Sequence, residues 1–244
     1  MVSRVLATGT RVGGQLRHDP RTVALLLALP AVLITLLRLV YAHRRDEFDA
    51  VGAPLLSLFP LFTMFLVTSV AILRERRTGT LERLLATPLR KSELLAGYGL
   101  AFGAAAIAQA VIASAVALGP LGLHVASGAA WVITLCATVA LLGMGMGLLA
   151  SAFARTEFQV VQFFPATILP QLLLCGLLVP RAALRGVLHL ISDALPMSYA
   201  VDAMQHLSRD SLASGVVVRD LCVIVAFALL AVSLGAATLR RQTD

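Results

Sequence analysis

Acid–base, metal or thiol chemistry in this chain would have to be built from five histidines, three cysteines and thirteen carboxylates spread over 244 residues. The histidines are His18, His43, His124, His189 and His206, far apart in sequence. Cys136, Cys175 and Cys222 have no Cys-x-x-Cys partner and read as small apolar packing residues. No His-Glu-x-x-His, Gly-x-Ser-x-Gly or Gly-x-x-x-x-Gly-Lys-Ser/Thr pattern occurs, so neither a catalytic constellation nor a metal site nor an ATPase motif is expected. What is concentrated is charge. The stretch LRERRTGTLERLLATPLRKSEL, Leu73 to Leu94, holds nine charged residues in 22 positions, six of them basic. Further on, Gln159, Gln162, Thr167 and Gln171 crowd polar groups into a single apolar run.

The elements that must position these residues are long and greasy. Hydrophobic residues make up 59% of the chain and charged ones 14%, against about 25% charged in a soluble domain. Six runs stand out: Thr22–Tyr41, Pro54–Leu73, Leu94–Leu118, Ala129–Phe153, Phe158–Val179 and Val216–Leu239. Each reaches the roughly 20 residues that cross a hydrocarbon core as a helix, which satisfies its own backbone hydrogen bonds. A soluble all-α protein would have almost no polar surface left to face water. All five histidines fall outside these runs, and no run carries an acidic residue near its middle. Proton-coupled transport uses intramembrane ionisable groups, so any transport by this chain should take its energy from elsewhere.

A net charge of +7 and a pI near 10.3 would suit nucleic acid, but the placement of the charge argues for a membrane and against nucleic acid. Thirteen of the 20 basic residues precede the first run, follow the sixth, or sit between runs two and three or four and five. Basic loops stay cytoplasmic, so both termini are expected inside and positions near Gly122 and Ser211 outside. Tyr41, Tyr98 and Trp131 fall near run ends, where amphipathic rings settle. The first 21 residues are polar and the first apolar run is a full span, so no cleavable signal peptide is expected.

The N-terminal segment places Val5, Leu6, Val12 and Leu16 on one side of a helix and Arg4, Arg11, Gln15 and His18 on the other, as for a helix lying on the membrane surface. Asp19-Pro20 should then turn the chain into the first span. Gly99-x-x-x-Gly103 and Gly143-x-x-x-Gly147 are expected to let helices pack closely. Pro165 and Pro170 should kink the fifth span. Between spans five and six, Leu184, Val187, Leu188, Ile191 and Leu195 repeat at helical spacing, Pro196 should end that helix, and a second should run over about Ser198–Leu207.

Within the charged break, Gly79-Thr80 is a good helix start, with Glu82 in the first turn. Leu81, Leu84 and Leu85 form an apolar stripe, Pro88 stops the helix, and Ser92-Glu93 reads as the cap of the third span. A short helix thus sits between two spans, placed to receive a push from a cytoplasmic partner. Its basic neighbours Arg74, Arg76, Arg77, Arg90 and Lys91 should hold the loop inside, and some can pair with lipid phosphates.

Glu75-Arg76-Arg77-Thr78-Gly79-Thr80-Leu81-Glu82-Arg83-Leu84-Leu85-Ala86-Thr87-Pro88, followed by Glu93-Leu94-Leu95, resembles the hallmark of the ABC-2 family of ATP-binding cassette permeases, with Arg77 where the family often has an acid. Gly176 to Pro180 and Leu195-Pro196-Met197-Ser198-Tyr199-Ala200-Val201-Asp202 are similar to a second family pattern. The resemblance covers essentially the whole chain as a single domain, 1–244. It implies an all-α membrane protein: six transmembrane helices, an N-terminal interfacial helix, a cytoplasmic coupling helix over Thr78–Thr87 and short external helices between spans five and six.

Functionally, the resemblance implies the permease of an exporter of hydrophobic or amphipathic substrates such as drugs, antibiotics or lipids. ATP and Mg would be bound by two partner ATPase subunits, no cofactor by this chain, and a second permease copy or paralogue would complete the pore. The coupling residues would be Glu75, Thr78, Gly79, Thr80, Leu81, Glu82, Arg83, Leu84, Leu85 and Pro88. Gln159, Gln162, Thr167 and Gln171 either line a central path between two copies or hydrogen-bond between helices. Nineteen arginines to one lysine, with abundant Ala and Leu, suggest a GC-rich bacterial genome and a plasma-membrane location. A non-transporting immunity, sensory or structural protein of the same fold, or an intramembrane lipid-modifying enzyme, are the competing classes. The enzyme would need clustered polar groups at one membrane face.

Overall fold

The computed structural model describes residues 2–79, 91–210 and 214–238. The expectations for Thr80 to Arg90, Ser211, Arg240 and Arg241, and for the side chains of Arg4, Gln15 and Leu16, lie outside what is described. Among the described residues regular structure is entirely helical: α1 (Val2–His18), α2 (Pro20–Val40), α3 (Arg45–Arg77), α4 (Lys91–Leu118), α5 (Ala129–Phe153), α6 (Glu157–Leu174), a 3-10 turn at Arg181–Ala183, α7 (Val187–Asp193), α8 (Pro196–Arg209) and α9 (Gly215–Thr238).

Five helices, α2, α3, α4, α5 and α9, are long and apolar enough to cross a membrane. Three corrections to the expected boundaries have local causes. The second span was expected from Pro54, but α3 starts at Arg45, because Asp46 and Glu47 favour a first turn there and Pro54 and Pro60 are absorbed inside the helix. The fifth was expected to reach Val179, but α6 stops at Leu174 after 18 residues, and Gly176 at φ 92° turns the chain away. The third was expected to be capped by Ser92-Glu93, but α4 already includes Lys91 and carries Glu93 in its first turn.

The core is assembled on the glycines of α5. A Cβ on Gly143 would fall on the Leu61 carbonyl of α3, and one on Gly147 would lie 2.5 Å from the Phe65 carbonyl oxygen. Gly145 faces the other way, where a Cβ would lie 2.9 Å from the Ala228 oxygen of α9. In contrast, Gly99 has open space and Gly103 meets only Leu141 at 3.6 Å. The close approach on α4 is instead at Gly97, where a Cβ would come within 2.5 Å of Thr8 in α1. Pro60 cannot donate to the carbonyl of Leu56 four residues back, and the Cys136 thiol of α5 takes that acceptor at 3.6 Å. Cys136 is therefore a hydrogen-bond donor as well as a packing residue.

α1 docks on the base of α4 with a face rotated from the expected one, keeping Val12 but not Leu6. Val12 and Thr8 are buried, whereas Leu6 is 53% exposed. Arg11 turns inward to donate to the Tyr98 hydroxyl at 3.3 Å. At the opposite end of the bundle, Pro196 opens α8 at its first position instead of merely ending α7. Asp49 accepts from the His124 amide at 3.1 Å, and Arg38 donates to the Leu121 carbonyl at 3.3 Å, tying down the loop after α4.

Candidate functional site

The last turn of α3 is gripped from three sides. Glu75 has a side chain only 14% exposed and pairs with Arg11 of α1 at 3.7 Å. Arg74 forks onto Glu157 at the start of α6, Nε to Oε1 at 2.9 Å and Nη2 to Oε2 at 3.4 Å. Arg76 donates to the Ser151 carbonyl near the end of α5 at 2.6 Å. Three of the arginines expected to set topology, Arg11, Arg74 and Arg76, are thus engaged within the chain. Thr78 closes the helix by returning its hydroxyl to the carbonyls of Arg74 and Glu75 at 3.0 and 3.3 Å. Gly79, at φ 68°, then redirects the chain in a conformation that glycine adopts without strain. Of the proposed coupling residues, Glu75, Thr78 and Gly79 therefore form a fixed exit. Thr80, Leu81, Glu82, Arg83, Leu84, Leu85 and Pro88 lie outside the described residues.

The four polar residues of α6 do not share one face. Gln159 is used up in capping: Thr156 accepts from the Gln159 amide at 3.2 Å, and Gln159 Oε1 accepts from the amide of Arg155, one residue before the cap, at 2.7 Å. Gln162 is exposed. Thr167 opens onto a cavity of about 300 Å³ shared with Phe65 of α3, Met146 and Phe153 of α5 and Phe163. Gln171 is buried, donates to the Thr167 carbonyl at 3.1 Å and leaves its Oε1 without a hydrogen-bond partner. The outer face of α6 is apolar and exposed, with Phe158, Val161, Leu169 and Leu173 between 52% and 70% accessible.

Sequence reasoning missed a polar clamp at the opposite end. Arg181 pairs with Asp193 and Asp202, donates to Ser192 at 3.2 Å and lies 5.5 Å over the Tyr199 ring. Tyr199 donates to the Asp193 carbonyl at 2.6 Å. Arg219 bridges Asp202, at 3.5 Å, and the buried Asp220, at 2.7 Å. Tyr199 and Asp202 were visible as motif residues. Arg181, Arg219 and Asp220 belong to neither family pattern, and no local spacing in the sequence links them. Among the described residues no cluster fit to hold a metal ion occurs.

Residues 8–207 match the family model described as ABC-2 type transporter. The chain is 27% identical over 189 residues to ABC transporter G family member 20 of Dictyostelium discoideum, covering 77% of this chain and 25% of that protein. It is 24% identical over 180 residues to the probable multidrug ABC transporter permease YbhS of Escherichia coli K12, covering 73% of this chain and 48% of that one. The chain therefore spans about half the length of the bacterial relative and a quarter of the Dictyostelium one. A match over most of its length, on an all-helical body with five membrane-length helices, establishes that the chain belongs to the ABC-2 type transporter family.

Proposed function

We propose that this chain is the membrane subunit of an ATP-driven exporter that moves a hydrophobic or amphipathic substrate, such as a drug, antibiotic or lipid, out across a bacterial plasma membrane by alternating access. Two cytoplasmic ATPase subunits supply the energy, and a second permease completes the path. α6 is the fifth of six spans, its exposed apolar face turned to the other permease and Gln162 and Thr167 to the substrate. The observation that carries the reading is the braced exit of α3. A segment that receives force must start from a point the body holds rigidly, and α1, α5 and α6 all grip the turn that leads into Thr78–Thr87. The multidrug description of the bacterial relative supports the substrate class.

The test is uncoupling. Proline cannot adopt the positive φ of Gly79, so Gly79→Pro misdirects the segment. Leu84→Asp puts a charge on its apolar stripe. Both should abolish ATPase association or separate ATP hydrolysis from transport while the spans stay inserted. Transport and association that survive Leu84→Asp at normal expression would sink the proposal. Unchanged transport and substrate-stimulated hydrolysis in Gln162→Ala and Thr167→Ala would remove those residues from the path.

A further inference from the structure

A cavity of about 400 Å³ lies between α1, α2, α3 and α4, away from the α6 residues assigned to the substrate path. Its size falls within the roughly 300–1,000 Å³ of small-molecule sites. The walls change character in the same direction. α2 runs from Asp19 and Thr22 to Leu25, α3 from Arg74 and Glu75 back to Val70 and Leu66, and α4 from Tyr98 to Phe102. Eight residues separate Arg74 from Leu66, about 12 Å of helix. The polar end is level with the end of the bundle and the apolar end points toward its middle, the polarity gradient of a lipid in one leaflet. Leu25 is 62% exposed, so the wall between α2 and α3 is open on its outer side.

The polar end is also selective. Its lining carries two carboxylates, Asp19 and Glu75, against one guanidinium, Arg74. Arg74 is forked onto Glu157 and Glu75 is paired with Arg11. Asp19 accepts from the Thr22 hydroxyl at 2.6 Å and the Thr22 amide at 3.2 Å, which, with the nearby charge of Arg74, hold its carboxyl below the usual range and keep it ionised. A carboxylate offers about four lone-pair sites, so Asp19 retains acceptor capacity toward the cavity mouth.

We propose that this cavity binds one phospholipid of the adjoining leaflet, its acyl chain among α2, α3 and α4 and its primary ammonium on Asp19, so that phosphatidylethanolamine is the preferred class. A primary ammonium donates three N–H bonds. A choline headgroup has none to give, and a glycerol headgroup brings no positive charge. The site rests on the reading that α2, α3 and α4 span a membrane, and it does not depend on transport.

Native mass spectrometry of the purified full chain tests it. Phosphatidylethanolamine, phosphatidylcholine and phosphatidylglycerol with identical acyl chains are titrated in turn. One phosphatidylethanolamine should be retained per chain, about fivefold over the other two, the scale of a partly exposed ion pair. Ala71→Phe fills the cavity and should remove the bound lipid. Asp19→Asn keeps an equally good helix cap and should abolish the headgroup preference while leaving a lipid bound; it carries the test by itself if Ala71→Phe fails to fold. Equal retention of the three lipids by the unmodified chain, or a preference that survives Asp19→Asn, overturns the proposal. Displacement of the phospholipid by equimolar dodecylamine overturns it in favour of a free lipophilic amine. No outcome here bears on export, since neither ATP nor transport is read.

Discussion

Gly99 and Gly147 stand in the same small-x-x-x-small spacing, yet only one of them carries a helix contact. Gly147→Leu must push a side chain into the Phe65 carbonyl of α3, with an expected cost of about 1–3 kcal/mol or more from overpacking. Gly99→Ala meets nothing within 4 Å and should be neutral or stabilise by up to about 1 kcal/mol through helix propensity. Thermal unfolding in detergent separates the two. The glycine spacing is written in the sequence, but which glycine faces a neighbour depends on the rotation of each helix about its axis. A Gly-x-x-x-Gly spacing by itself does not encode that rotation. Gly97 was overlooked for the same reason: its partner Thr8 lies 89 positions away. The inward turn of Arg11 was equally hidden, since a helical wheel puts arginine outside unless a buried acid such as Glu75 waits for it.

At the level of elements, α7 and α8 illustrate how a helix pair can be foreseen while its fastening is not. Apolar spacing predicts both helices, and Pro196 marks the boundary between them. The clamp that ties them to α9 needs Arg181, Asp202 and Arg219 to meet across 38 positions. Arg181→Ala removes partners from Asp193, Ser192 and Asp202 at once. Charge-assisted hydrogen bonds are worth about 1.5–3 kcal/mol each, so amide exchange across Val187–Asp193 should rise by more than tenfold while α5 stays protected. α1 is fastened by shape as well as charge. Gly97→Leu should lift it, so that limited proteolysis cuts within residues 2–18 while the rest of the chain remains intact. The truncation of α6 at Leu174 was missed because Cys175 to Val179 is apolar enough to continue a span. The positive φ of Gly176 overrides that pattern.

For the whole molecule, membrane class and family were legible because 20-residue apolar runs and a dense charged motif are both local signals. Sidedness comes from the distribution of arginines, and it is directly measurable. A single cysteine at Gly122 in a cysteine-free chain should label from the outside only, and labelling from the cytoplasm alone would invert the topology. The 33 residues of α3 add a consequence of their own. Such a helix is about 50 Å long, and even at a tilt of about 40° it projects over some 38 Å, more than the roughly 30 Å of the hydrocarbon core. The turn bearing Arg74 to Thr78 therefore works as a dipstick. How far it clears the lipid is set by bilayer thickness. A few ångströms of extra thickness would draw Glu75 and the Gly79 exit toward the acyl region and shorten the reach of the segment beyond. In vesicles of increasing acyl length, ATPase stimulation by the assembled transporter should fall before the chain itself loses stability.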